Sequence, residues 1–185
     1  MAQDRTRKIV ITGALGAVTI LLGLTHWGLI PWFAGISLTI MQIPVIIGAI
    51  LEGPIVGVGI GLIFGLFSLL EAAIAPSGPG DVVFTNPLIS ILPRLFIGPV
   101  AWLVWSALKK HPTLGLISAG LAGSLTNTIL VLGMFGVYSL YTWPVLGGIV
   151  VANGLPEALV SAILTLTIVS ITLRLNLGKK RGSDL

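Results

Sequence analysis

NPLISILPRLFIGP, residues 86–99, has the composition of a membrane-spanning helix, yet it carries Arg94 with no acidic residue beside it. An ionisable side chain inside a bilayer is costly and faces a cavity or a partner, so the rest of the chain must say what Arg94 meets. Of 185 residues, 55% are hydrophobic and 9% charged, against roughly 25% charged in soluble globular domains. The chain therefore reads as a membrane protein, a single membrane domain over residues 1–185. It has no cysteine, which excludes disulfides and thiolate metal sites.

Six apolar spans are expected around that stretch, at about 9–30, 36–51, 54–75, 87–108, 113–137 and 144–173. The first is too long for a signal-peptide core and matches the roughly 20 residues that cross a bilayer. The breaks carry turn chemistry: Pro31 and Gly35, Glu52-Gly53-Pro54, the loop Pro76 to Asp81, Lys109 to Pro112, and the aromatic turn Tyr138 to Trp143. The second span is short for a crossing. None of the spans alternates apolar with polar as a membrane barrel would. The 24 glycines allow close helix–helix approach. The expected fold is an all-α integral membrane protein, a compact bundle of six transmembrane helices.

An even number of crossings puts both termini on one side, together with Arg5, Arg7, Lys8, Lys109, Lys110, Arg174, Lys179, Lys180 and Arg181. The positive-inside rule makes that side cytoplasmic. The net charge of +4 is thus read as topology and contact with acidic headgroups in the bilayer, not as a nucleic-acid footprint. The remaining basic residue is Arg94.

At a rise of about 1.5 Å per residue, Arg94 lies roughly 10–12 Å below the outer end of its helix, Asn127 roughly 15 Å, Asn153 roughly 14 Å and Gln42 about 9 Å. Glu157 is one turn deeper than Asn153 on the same helix face. These residues fall in one outer-half slab, consistent with a pocket open to the outside and closed by the 31–36 and 76–86 loops. Pro93 and Pro156 each precede a charged residue, and each frees a backbone carbonyl one turn back, which a membrane tolerates at a cavity or a helix contact. A second reading stays open: Arg94 and Glu157 form a buried structural pair, and the asparagines are interhelical hydrogen-bond partners.

The sequence lacks the GxxxxGK[ST] phosphate loop. His26 and His111 lie at opposite ends of the bundle, so no metal site is expected, and Ser90 and Ser124 have no histidine at a plausible depth. No enzyme activity and no cofactor are expected. A single central arginine argues against a cation channel. No inverted repeat is visible, which argues against a self-sufficient secondary transporter.

IPVIIGAILEGPIVGVGIGLIFGLFSLL (43–70), NPLISILPRLFIG (86–98), GSLTNTILVLG (123–133) and NGLPEALV (153–160) occur in the order of helices 2–3, 4, 5 and 6 of the substrate-binding S components of energy-coupling factor (ECF) transporters. The chain resembles that family over nearly its whole length. The resemblance implies a plasma-membrane subunit that captures a vitamin or related micronutrient from outside. It further implies docking on a transmembrane T component bearing two ATPases. The family docks through small residues on helix 1 in an AxxxA pattern. Here the matching positions read GALGA, with Gly13 and Ala17 four apart.

The pantothenate-type branch is the nearest. A carboxylate would suit Arg94, whose guanidinium forms paired hydrogen bonds. Asn127, Asn153 and Asn86 would meet hydroxyls and an amide, with Tyr138, Tyr141 or Trp27 over the chain, and Gln42 and Glu157 complete the candidate substrate-binding residues. Were Glu157 to neutralise Arg94, a neutral or zwitterionic ligand would fit instead, and riboflavin, folate or a cobalamin precursor stay open. The competing class is a non-transport membrane assembly protein in which Arg94 and Glu157 are structural.

Overall fold

The computed structural model describes residues 2–25, 27–31, 37–76 and 81–175. His26, the loop residues 32–36 and 77–80, and the basic tail with Lys179, Lys180 and Arg181 lie outside the described residues. The chain is almost wholly helical: α1 Ala2–Leu24, α2 Gln42–Glu52, α3 Pro54–Ile74, α4 Pro87–Ser90, α5 Leu92–Ala107, α6 Pro112–Val137, α7 Trp143–Ile149 and α8 Leu155–Thr172. A 3-10 turn at Asp81–Thr85 precedes α4, and a π-helical turn at Val150–Gly154 joins α7 to α8.

Among the described residues five stretches are long and apolar enough to cross a membrane: Gln3–Leu24, Pro54–Ile74, Pro87–Ala107, Pro112–Val137 and Trp143–Thr172. The second expected span departs from its predicted bounds. Instead of running 36–51 it begins at Gln42, and its 11 residues extend only about 16 Å. Pro44 explains the late start, because its ring would clash with the carbonyl of residue 40 in a helix extended upstream. The first span also shifts. α1 begins at Ala2, where Arg7 is paired with Glu52 at 2.5 Å, and it ends at Leu24. Gly28 N–H then closes onto the Leu22 carbonyl at 2.7 Å. The connection that follows carries strand structure that the apolar pattern does not announce: β1 Leu29–Pro31 pairs antiparallel with β2 Ser37–Thr39, Ile30 opposite Leu38.

α2 is the hub of the bundle. It touches α1, α3, α5, α6 and α8, and every residue from Gln42 to Ile50 is buried. A helix packed on all sides can be hydrophobic all round, which is what the sequence of α2 supplies. A single residue, Gly53 at φ 100°, links it to α3, a backbone conformation that favours glycine. Around the hub, α6 packs between α5 and α8, and α3 between α1 and α5.

The contact that places α5 is a stripe of small residues on α3. Gly57, Gly61 and Gly65 recur every fourth position and so share one helix face. A Cβ on Gly57 would stand 2.8 Å from the Cα of Gly98, one on Gly61 2.3 Å from the Arg94 carbonyl oxygen, and one on Gly65 2.8 Å from the Cα of Ile91. All three obstacles are backbone atoms that cannot swing aside. The stripe is therefore the membrane small-xxx-small device, and it brings α3 against the backbone of Arg94 itself. Gly61→Leu is expected to destabilise the protein by about 1–3 kcal/mol, the cost of overpacking a filled contact, seen as a melting temperature several degrees lower in detergent. Gly133→Ala, where an added Cβ meets nothing within 4 Å, should leave melting unchanged or slightly raised. Equal behaviour of the two variants would show that the α3–α5 approach is not close.

Candidate ligand-binding site

Arg94 owes its position to a missing hydrogen. In an unbroken helix the Ile89 carbonyl would accept from residue 93, but Pro93 has no N–H. The helix accordingly breaks at Ile91, between α4 and α5. The Arg94 Nη1 donates to the freed Ile89 carbonyl at 2.7 Å. The guanidinium carbon lies 4.8 Å from the centre of the Phe84 ring and 5.2 Å from that of Phe64, both within the range of cation–π attraction. The 3-10 turn carrying Phe84 is tied to the broken helix, since the Ser90 hydroxyl donates to the Phe84 carbonyl. Arg94 is 4% exposed, and its Nε has no hydrogen-bond partner among the described residues. A guanidinium held in one plane with N–H groups to spare is suited to a carboxylate.

Across the cavity stands Glu157, in the first turn of α8 and 5% exposed. Its Oε1 accepts from the Thr39 backbone N–H at 2.6 Å. The Thr128 hydroxyl is shared at 3.3 Å each between Glu157 Oε2 and the Ser124 carbonyl. Glu157 thereby holds the β1–β2 hairpin over the site. Among the described residues no ion pair within 4.0 Å joins Arg94 to Glu157, whereas Arg7 and Glu52 do form one.

The cavity is lined by Thr39, Phe84, Arg94, Asn127, Thr128, Val131, Leu132, Ile149, Asn153 and Glu157. Arg94, Asn127, Asn153 and Glu157, read from the sequence as lying at one depth, thus share one wall-to-wall space. Asn153 comes from the π-helical turn, a deviation that is frequent at functional sites. The Asn127 Oδ1 is buried without a partner among the described residues.

The other residues singled out from the sequence lie elsewhere. Gln42, the first residue of α2, donates to Ser124 Oγ at 3.1 Å and to Ser161 Oγ at 3.5 Å, a link among three helices outside the cavity lining. Asn86 caps α4, its Oδ1 accepting from the Leu88 N–H at 3.0 Å. Tyr138 and Trp27 are exposed, and Tyr141 stacks on Phe135 at 5.8 Å. Gly13 and Ala17 are exposed on α1.

Thr39, Phe84 and Thr128 were not legible as site residues. Phe84 and Thr39 stand in connections whose folding back over the bundle leaves no periodic trace. Thr128 carried one usable signal, its place one residue past Asn127 and four past Ser124 on α6.

The family model for the substrate-specific component of ECF transporters matches residues 7–169. The pantothenic acid transporter PanT of Lactococcus lactis subsp. cremoris is 29% identical over 91% of this chain and 95% of its own length. The pantothenate transporter PanT of Leuconostoc mesenteroides subsp. mesenteroides is 32% identical over 70% of this chain and 68% of its own. With a match over most of the chain, on helices long and apolar enough to cross a bilayer, the protein belongs to the family of ECF-transporter substrate-specific components, multi-pass proteins of the plasma membrane.

Proposed function

We propose that the chain captures pantothenate outside the cell and presents it to a T component with two ATPases for uptake. The observation that carries this reading is the buried guanidinium of Arg94, held by two rings and one carbonyl with an N–H unspent. Pantothenate is a carboxylate with an amide and two hydroxyls. Its carboxylate would bind Arg94, and Asn127, Asn153, Thr128 and Glu157 would meet the hydroxyls and the amide. The similarity to two proteins named as pantothenate transporters supports the same ligand.

In this reading α2 completes a sixth passage through the bundle and both termini are cytoplasmic. The clustering of nine of the ten basic residues at the termini and the α5–α6 turn supports that orientation. Docking on the T component uses the small-residue face of α1 around Gly13 and Ala17, where a side chain added at Gly13 meets nothing within 4 Å. The wide separation of roles fits a subunit without a phosphate loop of its own.

Arg94→Ala should weaken pantothenate binding about 100-fold, on the scale of losing one partner of a desolvated charge pair. The alcohol analogue pantothenol, which lacks the carboxylate, should be affected little. Isothermal titration of both ligands separates the two, and a folded Arg94→Ala protein that binds pantothenate at full strength removes Arg94 from the ligand. Gly13→Leu should abolish co-purification with the T component and leave pantothenate affinity unchanged. A complex that survives this substitution places the docking surface elsewhere.

A further inference from the structure

We propose that Glu157 is a charge filter, admitting ligands that carry one anionic group and rejecting their phosphomonoesters. This rests on the reading of the cavity as a pantothenate site. Arg94 is the one cationic side chain among the residues that line the cavity, and Glu157 the one anionic. The two are not spent on each other. Arg94 is held by the Ile89 carbonyl and two rings, and Glu157 by Thr39 and Thr128. A bound monoanion therefore matches Arg94 and leaves Glu157 as the net charge of the site. A phosphomonoester would add about 1.5 to 2 further negative charges, with no second basic side chain in the lining to meet them. Phosphate sites are often built from arginine clusters, and the lining holds a single arginine. Buried like charges are screened by salt far less than exposed ones. The unpartnered Asn127 Oδ1 points the same way. It calls for a donor, which a free hydroxyl supplies and a phosphate ester of that hydroxyl does not.

The test uses the full chain in lipid nanodiscs and isothermal titration with three probes: pantothenate, pantothenate phosphorylated on its primary hydroxyl, and the uncharged dimethyl ester of that phosphate. The wild-type protein should bind the phosphorylated acid about 100-fold more weakly than pantothenate, the scale on which juxtaposed like charges discriminate between partners. The neutral ester, which is bulkier, should recover about tenfold of that loss if charge is what is read. Glu157→Gln should narrow the gap between pantothenate and its phosphorylated form by about tenfold or more. An unchanged gap in Glu157→Gln, with pantothenate still bound, overturns the filter. If that variant does not fold, the wild-type comparison decides: a neutral ester rejected as strongly as the charged one makes the exclusion steric. If wild-type protein binds no pantothenate, the functional reading fails first and the filter with it. A failure of the filter alone leaves pantothenate binding intact.

Discussion

Pro93 cannot donate a backbone hydrogen bond, and inside a bilayer that small deficit organises the site. In a membrane-spanning segment a backbone polar group that the helix leaves free must find a partner in the protein or at a cavity. The Ile89 carbonyl finds the Arg94 side chain, one residue beyond the proline that freed it. The same break separates α4 from α5 and lets Ser90 hold the Phe84 turn against the bundle. One missing N–H thus sets the helix break, anchors the guanidinium and supports one of its two aromatic neighbours.

A broken helix needs a rigid neighbour, and α3 provides it. Gly57, Gly61 and Gly65 bring the α3 backbone against Gly98, Arg94 and Ile91, so the irregular segment rests on a continuous helix. Lipid tails are as apolar as leucine, so association between membrane helices relies on close packing and hydrogen bonds rather than on escape from water. The glycine stripe supplies the first. The Gln42–Ser124–Ser161 link among α2, α6 and α8 supplies the second. Together they surround α2, whose 11 residues would be marginal as an isolated helix and are held here by contact on every side.

The long apolar spans were the most legible part of the chain, because their length and composition admit no soluble alternative. α3 and α6 lie within a residue of their expected bounds, and the Glu52-Gly53-Pro54 turn is where the sequence places it. The start of α2 was misread because hydropathy does not register that Pro44 forbids an upstream turn. That error also gave Gln42 a depth inside a helix that it does not have. Arg94, Asn127, Asn153 and Glu157 could be brought together by counting residues from the helix ends, since helical rise is uniform. Thr39 and Phe84 could not, because a chain that leaves a helix and folds back obeys no fixed rise. Asn86 was read beside a ligand when its local role, capping a helix that starts with Pro87, was already written in the Asn-Pro order. The glycine stripe was present as a spacing, but only the facing backbone distinguishes a packing seam from the many other glycines.

Keeping Arg94 and Glu157 apart is the more demanding arrangement. A direct pair would let each charge compensate the other at once, whereas here each must be desolvated and satisfied separately. Arg94 draws on a carbonyl that the helix could not use and on two aromatic faces, Glu157 on a hairpin amide and a shared hydroxyl. These partners cost the fold little, because the carbonyl lacks a donor in any case and the hairpin amide must be met somewhere. What they secure is orientation. A guanidinium already fixed in its plane, and a carboxylate already fixed across from it, lose little further freedom when a ligand arrives, and preorganisation of this kind raises affinity by lowering the ordering cost of binding. A collapsed ion pair would have to be broken first. The separation of the two charges is thus what the proposed ligand site requires, and a bundle stapled by a salt bridge would not need it.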